Sequence, residues 1–279
     1  METNKLLIIK KIMEENNFKG GTLAFHLLQN LFCFKTVCKN KCLEKFNSTF
    51  TYNEFEKNLF YISLKTFNFH EIDLKKPILI FFCGLGVRDV QFRIKDYLVE
   101  NCNCINSIIF SMQLNKIHDL NEMIGKAQDL FHYAQAMFPK NKFIFVGHSL
   151  GSGIALQTCK ELYEKDQKCF KQIKGILLIS TYPNLSFTFE KTSFKNLINY
   201  AFNNILDNEQ AMQYLKTKIQ KKNFIQILQG DKDTIFQSKH LQEMIDKNNL
   251  NQFANLQIIK GDHFFPAEFE NWCNLLCKF

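Results

Sequence analysis

The chain is predicted to adopt an α/β fold: a doubly wound, mostly parallel sheet that carries a small helical lid and an N-terminal extension. Three observations predict it. From Pro77 onward, apolar runs of strand length alternate with stretches of helical period. The runs are apolar throughout rather than at every second position, the pattern of strands covered on both faces. The 279 residues suit one domain of this kind with a modest extension, and no internal repeat suggests an array.

Before Pro77, Thr49–Tyr52, Leu59–Phe67 and Phe69–Leu74 are expected as early strands, forming an antiparallel edge on the parallel sheet. The buried runs follow at Ile78–Phe82, Ile105–Phe110, Phe143–Val146, Ile176–Ile179, Phe224–Leu228 and Leu256–Ile259, each rich in Ile, Phe or Val. Helical patterns separate them at Asp89–Glu100, Asp119–Phe138, Gly153–Glu164 and Lys239–Asn248. A last one, Pro266–Cys277, opens on a proline whose fixed φ and missing N–H suit a first helical turn. Strand and helix in turn imply a parallel sheet with helices on both faces. Residues 181–223 interrupt the alternation with two expected helices, too long for an ordinary connection and too short for a full cap domain, and are read as a lid. Residues 1–48 are read as a helical, peripheral extension and 49–279 as the domain.

Composition narrows the function classes. With 46% hydrophobic and 22% charged residues, the chain can bury a core and is not disordered. Its net charge of +8 would suit an anionic partner, but the lysines are interleaved with acids, so no nucleic-acid partner is expected. Ten cysteines in a chain this long form no small disulfide scaffold and no pair of CxxC knuckles. Reduced thiols and an intracellular location, cytoplasmic or at a membrane surface, are the expectation. No stretch reaches the roughly 18 consecutive apolar residues of a transmembrane helix. Glu2 excludes N-myristoylation, whereas Cys33, Cys38 and Cys42 beside Lys35, Lys39, Lys41 and Lys45 are candidates for palmitate and for peripheral membrane contact. Ordinary surface lysines with buried thiols are the plainer reading of that segment.

The chemistry lies in Gly147-His148-Ser149-Leu150-Gly151, a G-x-S-x-G placed between a buried strand and a helix. That context puts Ser149 on a tight turn with its hydroxyl exposed above the sheet, and Gly147 and Gly151 let neighbouring backbone approach. A serine hydroxyl is a poor nucleophile at neutral pH, so the motif calls for a histidine base and an acid to orient it. Both follow in nucleophile–acid–base order: Gly230-Asp231-Lys232-Asp233 after one strand and Gly261-Asp262-His263 after the next. Strand C-terminal ends converge on one crevice in a doubly wound sheet. His263 is the base. Asp233 is favoured as the acid, with Asp231 stabilising the loop and Asp262 capping its own turn. An earlier strand ends in Cys83-Gly84-Leu85-Gly86, so the N–H groups of Leu85 and Leu150 are the candidate oxyanion hole.

Together these residues resemble the α/β-hydrolase superfamily over roughly residues 55–279, with Gly147–Gly151 as nucleophile elbow and Gly84-Leu85 as oxyanion loop. Within it, His148-Ser149-Leu150-Gly151-Ser152-Gly153 and the Asp-x-Asp-x-Ile stretch from Asp231 to Ile235 look most like the lysophospholipase, monoacylglycerol-lipase and depalmitoylating-enzyme branch. Many relatives carry His-Gly in the oxyanion loop where this chain has Cys83-Gly84. The resemblance implies a serine hydrolase that cleaves an ester or thioester of a small acyl or lipid substrate through an acyl-enzyme, without cofactor or metal. The alternative class is a scaffold or subunit of a larger assembly that keeps the fold without turnover, and a weaker third is a membrane-binding module built on the N-terminal segment. The remaining histidines, including His26, His70, His118, His132 and His240, are read as surface or core residues, and Cys102, Cys104, Cys273 and Cys277 as ordinary thiols. Phe187, Phe189, Phe194 and Phe202 of the lid are candidates for an acyl pocket, with core packing the plainer reading.

Overall fold

The computed structural model describes residues 51–55, 60–64, 72–84, 97–98, 101–106, 108–112, 119–185, 206–263 and 269–279, the two earliest segments and residues 269 and 270 through their backbone. The N-terminal extension, its cysteines and lysines, and the four lid phenylalanines lie outside these residues.

Among the described residues, eight strands form one sheet: β1 (Thr51–Phe55), β2 (Phe60–Leu64), β3 (Ile78–Phe82), β4 (Ile108–Met112), β5 (Phe143–His148), β6 (Ile173–Ile179), β7 (Ile225–Gly230) and β8 (Ala254–Ile259). Their order is β1-β2-β4-β3-β5-β6-β7-β8. From β4 to β8 every pairing is parallel, while β1–β2 and β2–β4 are antiparallel, which is the expected edge. The described helices are α1 (Leu120–Met137), α2 (Leu150–Lys165), α3 (Gln167–Phe170), α4 (Asn208–Lys218), α5 (Ser238–Lys247) and α6 (Phe269–Leu276). The predicted helix Asp89–Glu100 is described only at residues 97 and 98, both helical.

Strand periodicity splits each apolar run between two layers. Ile78, Ile80 and Phe82 of β3 join Phe143 and Phe145 of β5 against α1, α2, α4 and α5. Leu79, Phe81, Ile144 and Val146 point the other way, against Leu98 and the α6 residues Trp272, Leu275 and Leu276. Each such buried side chain contributes about 1.5–3 kcal/mol relative to exposure. Three of the described helices start on a capping carboxylate: Asp119 accepts from the Asn121 and Glu122 N–H groups at the head of α1, Asp166 from the Cys169 N–H at α3 and Asp207 from the Gln210 N–H at α4.

Two expectations are corrected. Phe69–Leu74 is no strand among its described residues 72–74, because the Asp73 carboxylate accepts the Lys75 N–H at 2.8 Å and closes a turn. That turn engages the Asn106 amide, which donates to the carbonyls of Asp73 and Lys76, so β4 starts at Ile108 rather than Ile105. The second correction concerns the thiols. Cys102 is bonded to Cys273 and Cys104 to Cys277, with Cα separations of 5.1 and 5.4 Å. Cys273 lies in α6 and Cys277 directly follows it, its N–H donating to the Cys273 carbonyl, so both bridges tie the end of that helix to the turn before β4.

The order of the sheet fixes where a site can form. The chain leaves β3 toward β4 on one side and leaves β5 toward β6 on the other, so adjacent connections diverge and open a crevice at the carboxyl ends of β3 and β5. Gly84 and Ser149 stand at those two ends.

Candidate active site

Ser149 links the last residue of β5 to the first of α2 with φ 54° and ψ −124°, a conformation that L-residues rarely adopt. It is held by neighbours: the Ser149 N–H donates to Ile179 O, and its carbonyl accepts the Ser152 hydroxyl at 2.6 Å. Thr181 in turn donates to Ser152 Oγ, and Asn208 at the head of α4 reaches the Tyr182 carbonyl. The motif glycines are required by proximity. A Cβ at Gly151 would stand 2.0 Å from Phe82 O, one at Gly147 2.5 Å from Ser152 Cα, and one at Gly84 2.8 Å from Ser149 Cβ.

The three side chains singled out in the sequence meet. His263 Nε2 lies 2.8 Å from Ser149 Oγ, and its Nδ1 lies 2.9 Å from Asp233 Oδ2. A carboxylate only accepts, so Nδ1 carries the proton and the bare Nε2 accepts the Ser149 O–H. Asp233 and His263 are each 5% exposed, so solvent hardly competes for these bonds. The acid is fully engaged: Oδ1 accepts the N–H groups of Ile235 and Phe236, and Oδ2 accepts Gln229 Nε2 as well as His263. Asp231 sits apart, its carboxylate accepting the Gly261 N–H, and Asp262 is exposed.

Leu150 opens α2, so its N–H belongs to the first turn, which helix geometry leaves without intrahelical acceptors, at the positive end of the helix dipole. Leu85 lies outside the described residues, but Gly84 packs directly against Ser149.

Sequence reasoning missed two participants. Gln229 is a buried polar residue of β7 just past the apolar run Phe224–Leu228, and because Gln226 within that run is equally buried, polarity in the strand did not single it out. His148, the residue before the serine in the G-x-S-x-G motif, is buried with its Nε2 3.1 Å from His263 O. Burial, and then the neighbouring His263 imidazole, hold its pKa down at about 4. One further set of metal-type donors, His132, Asp166 and Cys169, clusters within 4.8 Å, but Asp166 caps α3 and the Cys169 thiol donates to Gln135, so the set is accounted for by local bonding.

No protein-family profile and no curated protein matches this sequence. Solved structures do. Est1E from Butyrivibrio proteoclasticus superposes with a TM-score of 0.57 at 14% identity, covering 83% of this chain and 97% of that one. TT1662 from Thermus thermophilus gives 0.56 at 11%, covering 81% and 96%. The esterase Pf2001 of Pyrococcus furiosus gives 0.54 at 13%, covering 82% and 89%. At such identities the likeness is one of fold. With the strand order and the turn after β5, the fold is of the α/β-hydrolase type that the motif implied.

Proposed function

We propose that the protein is a serine hydrolase that cleaves a carboxylic ester or thioester of a small acyl or lipid molecule through an acyl-enzyme. One observation carries the reading: the hydrogen-bonded chain from buried Asp233 through buried His263 to Ser149 Oγ. Ser149 Oγ attacks the acyl carbon while its proton passes to His263 Nε2. The oxyanion forms beside the Leu150 N–H, and the Leu85 N–H, outside the described residues, is proposed as the second donor. Collapse expels the leaving group, which takes the proton from His263, and a water then repeats the sequence to release the acid and restore Ser149. Asp233 holds the imidazole in the required tautomer and stabilises its charged form. No step calls for a metal or an organic cofactor.

The lipid part of the reading is supported by the run from His148 to Gly153 and its likeness to lipid hydrolases. Membrane contact through the basic N-terminal segment is part of the same proposal, tested by comparing liposome pelleting of the full chain with that of a chain beginning at Thr49. For the compartment, the two bridges favour an oxidising lumen over the reducing cytosol. Among the described residues no helix is long and apolar enough to cross a membrane.

The experiment is a panel of chromogenic acyl esters of graded chain length, run with wild type and Ser149→Ala. Hydrolysis that peaks at one chain length and vanishes in Ser149→Ala is the expected result. A folded wild type inert toward the whole panel would favour a scaffold that keeps the fold without turnover.

A further inference from the structure

The loop that carries His263 has a distance to cover. It leaves β8 at the edge of the sheet, whereas Ser149 stands at the end of β5, three strands away, about 14 Å at the usual spacing. Asp233, at the end of β7, holds the ring but not the main chain. The far end of this reach is tied differently. The His263 carbonyl accepts two buried side-chain donors, His148 Nε2–H at 3.1 Å and Ser180 Oγ–H at 3.0 Å. These donors come from the carboxyl ends of β5 and β6, which are paired strands. Their exposures are 4% for His148 and 0% for Ser180.

We infer that His148 and Ser180 are positioning residues, a two-point clamp on the His263 carbonyl that fixes the main chain of the base over the nucleophile. The inference rests on the function proposed above. A carbonyl oxygen has two lone pairs, and both are used here. Because a carbonyl can only accept, the clamp requires the proton of His148 to sit on Nε2, which leaves Nδ1 bare. That nitrogen has no hydrogen-bond partner among the described residues. A buried imidazole with one unmatched nitrogen is hard to explain as packing alone and is explained by its single donor. Ser180 adopts φ 48°, so its backbone too is held in an uncommon conformation at the point where its hydroxyl meets the loop. The two rings lie with centroids 5.7 Å apart, and the depressed basicity of His148 keeps it a neutral donor while His263 gains and loses its proton.

The test compares His148→Leu, which removes the donor, His148→Gln, whose amide restores an N–H at a similar reach, and Ser180→Ala, all in the full chain. Two readouts are taken: kcat and KM on a short acyl ester, and the low-field proton resonance of the His263 Nδ1–H bonded to Asp233. The clamp predicts that His148→Leu lowers kcat about 10- to 100-fold with KM changed by less than about threefold, since misplacing a reacting group by about 1 Å has effects of that size. The low-field resonance should weaken or vanish. His148→Gln should recover most of kcat and the resonance, and Ser180→Ala should show a smaller loss of both. Equal losses in His148→Leu and His148→Gln, or a His148→Leu protein with kcat within about twofold of wild type and the resonance intact, would overturn the clamp. If His148→Leu does not fold, the comparison of Ser180→Ala and His148→Gln with wild type decides in the same terms. A wild type that hydrolyses nothing, yet loses the resonance in His148→Leu and keeps it in His148→Gln, would sink the proposed function and leave the clamp standing.

Discussion

Asp233 shows how the chemistry of one side chain is decided by all of its partners at once. Oδ1 is committed to two backbone N–H groups and Oδ2 to Gln229 and His263. In Asp233→Asn, the amide oxygen would stay with the backbone donors and the NH₂ group would face two other donors. His263 would then have to move its proton to Nε2, where it can no longer accept from Ser149. A fall in kcat of about 10³–10⁴-fold with little change in fold is the expected outcome, read by steady-state kinetics and circular dichroism. Gln229→Leu removes only one of the four donors, so its kcat should fall by about tenfold, between wild type and Asp233→Asn. His148 gives the site a pH signature. Its folded pKa of about 4 lies below its ordinary 6.5, so between those values the unfolded chain binds the extra proton and stability falls as the pH is lowered. Among the described residues, His263 and Asp233 are the titratable groups that act on it. A loss on the order of 3 kcal/mol over that window is expected from urea unfolding, and His148→Gln should lack that component. Of these residues, Ser149, Asp233 and His263 could be picked from the sequence because each follows a strand in a recognisable order. The contacts of His148 and Ser180 could not, since each meets a partner distant in the chain, and that of Gln229 could not because β7 carries a second buried glutamine, Gln226, that the local pattern does not distinguish from it.

The turn between β5 and α2 is held by a contact that crosses elements. Gly151, on the first turn of α2, lies against the Phe82 carbonyl of β3. Gly151→Ala would put a Cβ 2.0 Å from that oxygen, so either α2 or β3 must move. Both are packed core elements, and loss of the folded protein or a destabilisation of several kcal/mol is expected by denaturant unfolding. Gly125 on α1 is the control: a Cβ there meets nothing within 4 Å, and Gly125→Ala should be neutral or mildly stabilising. Strands were readable wherever both faces are buried: Ile78–Phe82 is the same in sequence and structure because its apolar run starts and stops with the strand. The prediction failed at Phe69–Leu74, where the Asp73 side chain offers the backbone a turn that β propensity does not register. Apolar pattern reports burial, and it says little about which side chain closes a loop.

For the molecule as a whole, the two bridges join positions 171 and 173 residues apart, a proximity that no local pattern could reveal. Their contributions should not add. Once Cys102 and Cys273 are joined, the second bridge closes only a small remaining ring in the unfolded chain and removes little further entropy. Each double Cys→Ser replacement that deletes one bridge should therefore cost far less than deleting both, for which about 4–5 kcal/mol is expected. The shortfall is measurable as a difference in melting temperature with and without reductant. The same bridges fasten α6, which follows the His263 loop, so reduction should lower activity along with stability. The expected parallel sheet could be derived from the alternation of two-sided apolar runs with helical stretches, because both are local properties of the sequence. The cysteine pairing was misread because composition and length argue about compartments, and neither says which sulfurs meet.

The central claim is that Ser149 is a nucleophile activated by His263. Its most direct measurement is mass spectrometry of the full chain after reaction with a fluorophosphonate, followed by peptide mapping. One adduct per chain on the peptide containing Ser149, absent from Ser149→Ala and strongly slowed in His263→Ala, is the result this account predicts. An unmodified Ser149 peptide in folded protein, or an adduct that persists in Ser149→Ala, would contradict it.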